Sequence, residues 1–127
     1  MGSAEVEIHI DRPVEDVWKV VGDFGGISEW SPGIESCEVH GDERTIKAMG
    51  MEIVERLLAR DGQKHLISYG IVGGQVPVDH HKATITVYPD GKGSRVTYAV
   101  EVEPDTLVPV MEQSYKGALA ALEKNFG

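Results

Sequence analysis

The chain holds one cysteine, Cys37, in 127 residues. No internal disulfide can form, and a cytoplasmic setting is the default expectation. Positive charge is also scarce: 12 Lys and Arg stand against 21 Asp and Glu, a formal net charge of −9, with no basic cluster. That sign disfavours nucleic acid and anionic membranes as partners. No apolar run approaches the ~20 residues of a membrane span, and the charged-then-apolar layout of a signal peptide is missing. Repeats, low-complexity tracts and linkers are missing too, so the length predicts one domain over residues 1–127 with its own core.

What the chain does have is a long amphipathic segment at its end. From Thr106 to Phe126, at ~100° per residue, Leu107, Val110, Met111, Tyr115, Ala118, Leu119, Ala121, Leu122 and Phe126 fall on one half of a wheel. Glu112, Gln113, Lys116, Glu123 and Lys124 fall on the other. Asp105 or Thr106 is the expected cap, and Pro109 sits in the first turn, where a missing N–H costs little. At ~1.5 Å per residue the helix is about 30 Å long and crosses the whole domain. Ser114, Ala118, Ala121 and Asn125 mark the middle of its dry face. Small or polar residues there predict a ligand cavity between helix and sheet, unless bulky strand residues fill the gap.

Upstream, Ala4 to Ile10 alternates strictly, a half-buried strand. Pro13 then opens a short amphipathic helix with Val14, Val17, Trp18, Val21 and Phe24 at helical spacing, followed by a second short turn around Ile27 to Trp30. Six further strands are expected: Ile34 to Val39, Glu43 to Ala48, Met51 to Arg60, His65 to Val72, His80 to Tyr88 and Ser94 to Val102. Short Gly-containing turns join them, so they form an antiparallel meander. The order is α+β, a curved seven-stranded sheet gripping its last helix.

Alternation orients each strand. Met51, Ile53, Leu57 and Ala59 face inward, with Glu52, Arg56 and Arg60 on the wet side, and Glu55 is a carboxylate on the dry face. Ile46 and Ala48 bring Arg44 inward with them. Met49-Gly50 as a two-residue hairpin sets Arg44 opposite Glu55, which predicts an ion pair inside the concave face. Either charge buried alone costs several kcal/mol, whereas a pair is tolerable. His81 shares the inward set of Ala83, Ile85 and Val87; Tyr69 joins Ile67 and Ile71 if the Asp61-Gly62 turn has three residues or a bulge. Val96, Tyr98, Val100 and Val102 line the last strand, unless a one-residue shift replaces them.

Arg44, Glu55, Tyr69 and His81 thus converge beneath Ser114. A carboxylate in apolar surroundings has a raised pKa and a neighbouring arginine lowers it again, the kind of group that orients a polar handle or moves a proton. The plainer alternative is an ion pair at the cavity mouth, a core tyrosine and a histidine bonded to a backbone carbonyl. Asp79-His80-His81 with His65 is no metal site, because adjacent strand residues point to opposite faces. Asp23-Phe24-Gly25 and Gly91-Lys92-Gly93-Ser94 lack the companions of kinase or phosphate-loop motifs. Cys37 reads as a strand residue.

Val17-Trp18, Asp23-Phe24, Trp30-Ser31-Pro32, Ser36-Cys37, Glu55-Arg56-Leu57, Ser68-Tyr69 and Ala83-Thr84, in this order and spacing, resemble the polyketide cyclase/dehydrase and lipid-transport branch of the START-like (SRPBCC) superfamily. The chain is similar in particular to lachrymatory-factor synthases and to plant abscisic acid receptors, the latter through His65-Leu66-Ile67-Ser68-Tyr69 and Val72-Gly73-Gly74. The resemblance implies the helix-grip fold with a hydrophobic cavity. It also implies catalytic roles for Arg44 and Glu55 by analogy with the synthases, and water-mediated ligand contact at Glu55 by analogy with the receptors. The receptors' anchoring lysine falls at Glu35, their gate loop is shortened to Met49-Gly50, and their latch reads Val76-Pro77-Val78. These departures argue against hormone sensing of that kind.

The leading expectation is a cofactor-free, metal-free domain, monomeric or weakly dimeric, that binds a small hydrophobic or amphipathic molecule. Arg44, Ile53, Glu55, Tyr69, Ile71, His81, Met111, Ser114, Tyr115 and Ala118 are the expected contacts. The alternatives are a cyclase, dehydratase or isomerase using Glu55, Arg44 and His81, and a protein-interaction module with a collapsed cavity. A hollow above roughly 300 Å³ reaching Glu55 separates the first two from the third.

Overall fold

Short turns force the strands to pair in sequence order, and the computed structural model, which describes residues 2–127, shows the result. The strands are β1 (Gly2–Ile10), β2 (Ile34–His40), β3 (Glu43–Ala48), β4 (Met51–Asp61), β5 (Leu66–Gly74), β6 (His80–Asp90) and β7 (Gly93–Glu103). They form one antiparallel sheet in the order β1-β7-β6-β5-β4-β3-β2. Between β1 and β2 lie helix α1 (Val14–Val21) and a 3-10 segment, Phe24–Glu29. A second 3-10 turn, Asp105–Leu107, precedes the long helix α2 (Val108–Asn125). The expected helix from Thr106 therefore begins two residues later, without a side-chain cap; Pro109 lies in its first turn, as anticipated.

The β3–β4 hairpin follows the register expected from its turn. Met49 and Gly50 both take positive φ, 52° and 76°, the conformation that lets two residues reverse a twisted ladder. Ala48 then faces Met51, Ile46 faces Ile53 and Arg44 faces Glu55.

Further along β4 the pattern breaks. Leu57 pairs with Tyr69 but Ala59 pairs with Ser68, so Leu58 is an extra residue in a bulge. From there the facing inverts. Ala59 is exposed on the convex side, and Arg60, expected on the wet side, turns to the concave side, where Nε donates to the Gly22 carbonyl at 2.6 Å beside the Trp18 ring. Four loop residues, 62–65, join β4 to β5, and Ile67 and Tyr69 face inward, each 3% exposed.

Helix α2 packs chiefly on β1 and β7. Its buried line runs through Met111, Ala118, Leu119 and Leu122, with Tyr115 beside them. Val110, counted on the dry face by the wheel, is 59% exposed, and Ser114 and Asn125 also face solvent. The true centre of the face lies roughly 70° round from the Ser114–Asn125 line at 100° per residue. The bulky residues decide the docking angle, because burying Leu119, Leu122 and Met111 outweighs burying Val110 and the alanines.

Pairing of β5 with β6 stops at Tyr69 and Ala83. Just beyond, a Cβ on Gly70 would stand 2.6 Å from the His81 carbonyl oxygen, a backbone atom with nowhere to go. Gly70→Ala is expected to cost about 1–3 kcal/mol, the usual range for forcing an extra methyl into a packed position. A urea titration measures this, and an unchanged midpoint would mean that the two strands part freely here.

Candidate functional site

Five strands and both helical layers send polar side chains into the concave interior. Arg44 on β3 and Glu55 on β4 are 2% and 5% exposed. Arg44 Nε donates to Glu55 Oε1 at 2.8 Å, and Nη1 donates to the Phe24 carbonyl at 2.7 Å. Nη2 also lies 2.8 Å from Oε1, but its N–H bonds do not line up with that oxygen: the contact is one of charge only. The guanidinium carbon sits over the rings of Phe24 and Tyr69, 4.1 and 4.6 Å from their centres, so aromatic faces supply part of the solvation that water would give.

Burial pushes the Glu55 carboxyl above its usual range, and Arg44 reverses this only in part. For Arg44 burial is the largest influence and opposes the charge, but the Glu55 carboxylate together with Tyr69 and Tyr98 holds the guanidinium above its ordinary value.

From this pair a chain of aromatic groups leads to the helix. The Tyr69 hydroxyl is hydrogen-bonded to that of Tyr98 on β7. The Tyr98 ring stacks on Tyr115 of α2, with centres 4.0 Å apart and planes 6° from parallel. The Tyr115 hydroxyl meets Nε2 of His81 on β6 at 2.9 Å. Burial raises all three tyrosine pKa values, so the hydroxyls stay protonated.

His81 closes the chain where the β5–β6 ladder has stopped. The Ile71 N–H, with no strand carbonyl to meet, donates to His81 Nδ1 at 3.2 Å. An Nδ1 that accepts leaves the neutral ring's proton on Nε2, which donates to Tyr115. Burial lowers the His81 pKa from 6.5 to about 4, with the neighbouring His80 adding to the effect. Where the plainer alternative had His81 bonded to a backbone carbonyl, its ring instead accepts from a backbone N–H.

Arg44, Glu55, Tyr69 and His81 thus share one interior, joined to Tyr115 and flanked by Ile53 and Ile71, half-buried on the same face. Met111 and Ala118 are buried under the helix. Ser114 is not part of the group, being exposed. Tyr98, Phe24 and Trp30 belong to it as well; Tyr98 was readable as inward by the alternation that turns Val96 and Val100 the same way, and Phe24 by its helical spacing after Val21, whereas Trp30 was not. Cys37 also looks inward, opposite Ile46, and burial pushes its thiol above the ordinary range, away from the thiolate form that attacks.

Among the described residues, the space found beside Arg44, Tyr69 and Trp30 falls short of the expected hollow: it amounts to about 10 Å³, room for one water-sized group, and Glu55 does not line it. The stacked Tyr98 and Tyr115 rings occupy the volume that small helix residues were expected to leave open. No helix among these residues is long and apolar enough to cross a membrane.

The sequence profile described as polyketide cyclase/dehydrase and lipid transport matches residues 1–127. Abscisic acid receptor PYL7 of Arabidopsis thaliana is 29% identical over 91 residues, 65% of this chain and 43% of the receptor. Abscisic acid receptor PYL6 of the same plant is 28% identical over 106 residues, 72% of this chain and 49% of the receptor. The chain spans less than half the length of these relatives. The structure of XoxI from Bacillus cereus superposes with a TM-score of 0.94 at 24% identity, covering 99% of this chain and 96% of that one. A START superfamily protein from Mycobacterium smegmatis gives 0.83 at 14% identity, covering 98% and 97%. At these identities the superpositions speak for the fold.

Proposed function

The chain belongs to the polyketide cyclase/dehydrase and lipid transport family, and from that membership we propose that it binds a small, mostly apolar molecule by one polar handle, against Arg44, Glu55, Tyr69, Tyr115 and His81. One observation carries this reading: a charged pair buried on the concave face. Well-packed apolar residues would stabilise the fold as well or better, so stability alone gives no reason for the pair. Helix α2 leans on β1 and β7, and on the other side Ile53 and Ile71 remain half-buried beside Glu55, an apolar approach to the polar groups. The ligand makes its own room by moving α2 outward from the concave face.

The filled interior also favours a second reading, an interaction module whose acidic surface meets a protein partner. Titration with N-phenyl-1-naphthylamine, a neutral apolar fluorophore, separates the two. Saturable enhancement at one site per chain, weakened about tenfold by Ile53→Asp, is expected for ligand binding, since a charge on that wall costs more than 1 kcal/mol against an apolar guest. The reading fails if the dye shows no saturable site and native mass spectrometry of freshly purified protein detects only the bare chain mass.

A further inference from the structure

Two buried hydrogen-bond donors lack an acceptor among the described residues: Trp30 Nε1 and Arg44 Nη2. Trp30 is 6% exposed and Arg44 2%. Both residues line the same small cavity, about 10 Å³ in volume, with walls of Val21, Ile27, Ile67 and Ile85. An unmatched donor out of water costs about 1–3 kcal/mol, and two beside one cavity of this size are the arrangement expected of a place built to receive an acceptor.

The chemistry of the lining narrows the occupant. Its two unmatched buried groups are both donors, so a protonated amine placed between them would meet only N–H groups and the Arg44 charge, while the one carboxylate of the lining, Asp23, is exposed and keeps its water. The positive charge of Arg44 is already met by Glu55 at 2.8 Å, and the exposed Asp23 adds a carboxylate to the lining, so a full anion meets more negative than uncompensated positive charge. A neutral oxygen with two lone pairs and no proton of its own matches both donors and leaves nothing unsatisfied.

We propose that the space between Trp30 and Arg44 seats the carbonyl oxygen of a ketone, aldehyde or ester. The inference rests on the ligand-binding reading above and says which end of the ligand goes where: the oxygen towards α1 and the 3-10 segment, the apolar body towards Tyr69. Trp30 is then a specificity-determining residue, with no part in holding the apolar body.

The test uses the two indole N–H signals of 15N-labelled protein, those of Trp18 and Trp30, with Trp30→Phe assigning them. The probes are 2-octanone, octylamine and octane. 2-Octanone is expected to move the Trp30 signal downfield and leave Trp18 near its place, while octylamine at neutral pH moves neither. Trp30→Phe is expected to weaken 2-octanone about tenfold, the worth of one buried hydrogen bond, and to leave octane unchanged. The wild-type spectra decide even if that variant folds poorly. If 2-octanone shifts interior amides while the Trp30 indole stays put, the carbonyl seat is wrong and the binding reading survives. A long-lived water that keeps its cross-relaxation to the Trp30 proton at saturating ketone overturns the seat likewise. If no probe, octane included, perturbs any interior signal, the binding reading falls and takes the seat with it.

Discussion

Arg44→Ala is expected to lower the free energy of unfolding by about 3–5 kcal/mol, a large share of what a domain this size possesses. The loss has two sources. Glu55 is left in a site 5% exposed, with no cation within reach of Oε1, and must take up a proton or draw in water. The Phe24 and Tyr69 rings lose the plate that lies between them, and the Phe24 carbonyl loses its donor. Adding Glu55→Leu to Arg44→Met should recover most of the loss, because replacing both members of a buried pair is commonly neutral or stabilising. Urea titrations of wild type, single and double variants measure this. A loss below about 1 kcal/mol in Arg44→Ala would place the pair in water, in contradiction to its burial here.

The second large effect is one of pH. His81 in the folded chain titrates at about 4, against 6.5 for an ordinary imidazole. Between those values the unfolded chain binds the proton and the folded chain does not, so stability rises with pH across the window. The contribution is fully present above pH 6.5 and is lost as the pH falls to about 4. At 1.36 kcal/mol per unit it amounts to roughly 3 kcal/mol. Burial is the main reason, and the geometry agrees with it: a proton added at Nδ1 would confront the Ile71 N–H. Glu55 works in the opposite sense, since its raised folded pKa makes stability fall as pH rises above its ordinary 4.5. The informative quantity is therefore the difference between wild type and His81→Gln, followed by urea unfolding from pH 7 to 4. Parallel profiles would mean that His81 is reached by solvent.

The ion pair was legible in the sequence because two independent patterns agreed on it. The apolar alternation of β3 and β4 turned Arg44 and Glu55 inward, and a Met-Gly turn put them opposite one another. A bulge near the Asp61-Gly62 turn was allowed for, but its place within β4 was not legible. Leu58 looks like any strand residue, and nothing in its neighbourhood announces that Ala59 and Arg60 exchange faces there. The helix wheel failed for a different reason: it weighs Val110 and Ala121 like Leu119 and Leu122, whereas docking answers to area buried. Taking Ser114 for the centre of the dry face led to the expectation of a hollow. That volume is instead filled from both sides by Tyr98 and Tyr115, and alternation alone does not reveal that two inward rings stack.

β1 lies between solvent and β7, with Gly2 opposite Val102 and Ile10 opposite Ser94, and α2 then closes over this same pair of strands. Arg12 reaches the carbonyl of Phe126 at the other end of the chain. Within this domain the first strand thus waits for β7 before it has a neighbour, and the core gains its cover only once α2 has been made. Until then the growing polypeptide shows an unpaired edge and an open apolar trough, so chaperone dependence should be greatest for nascent chains stalled just short of the final helix.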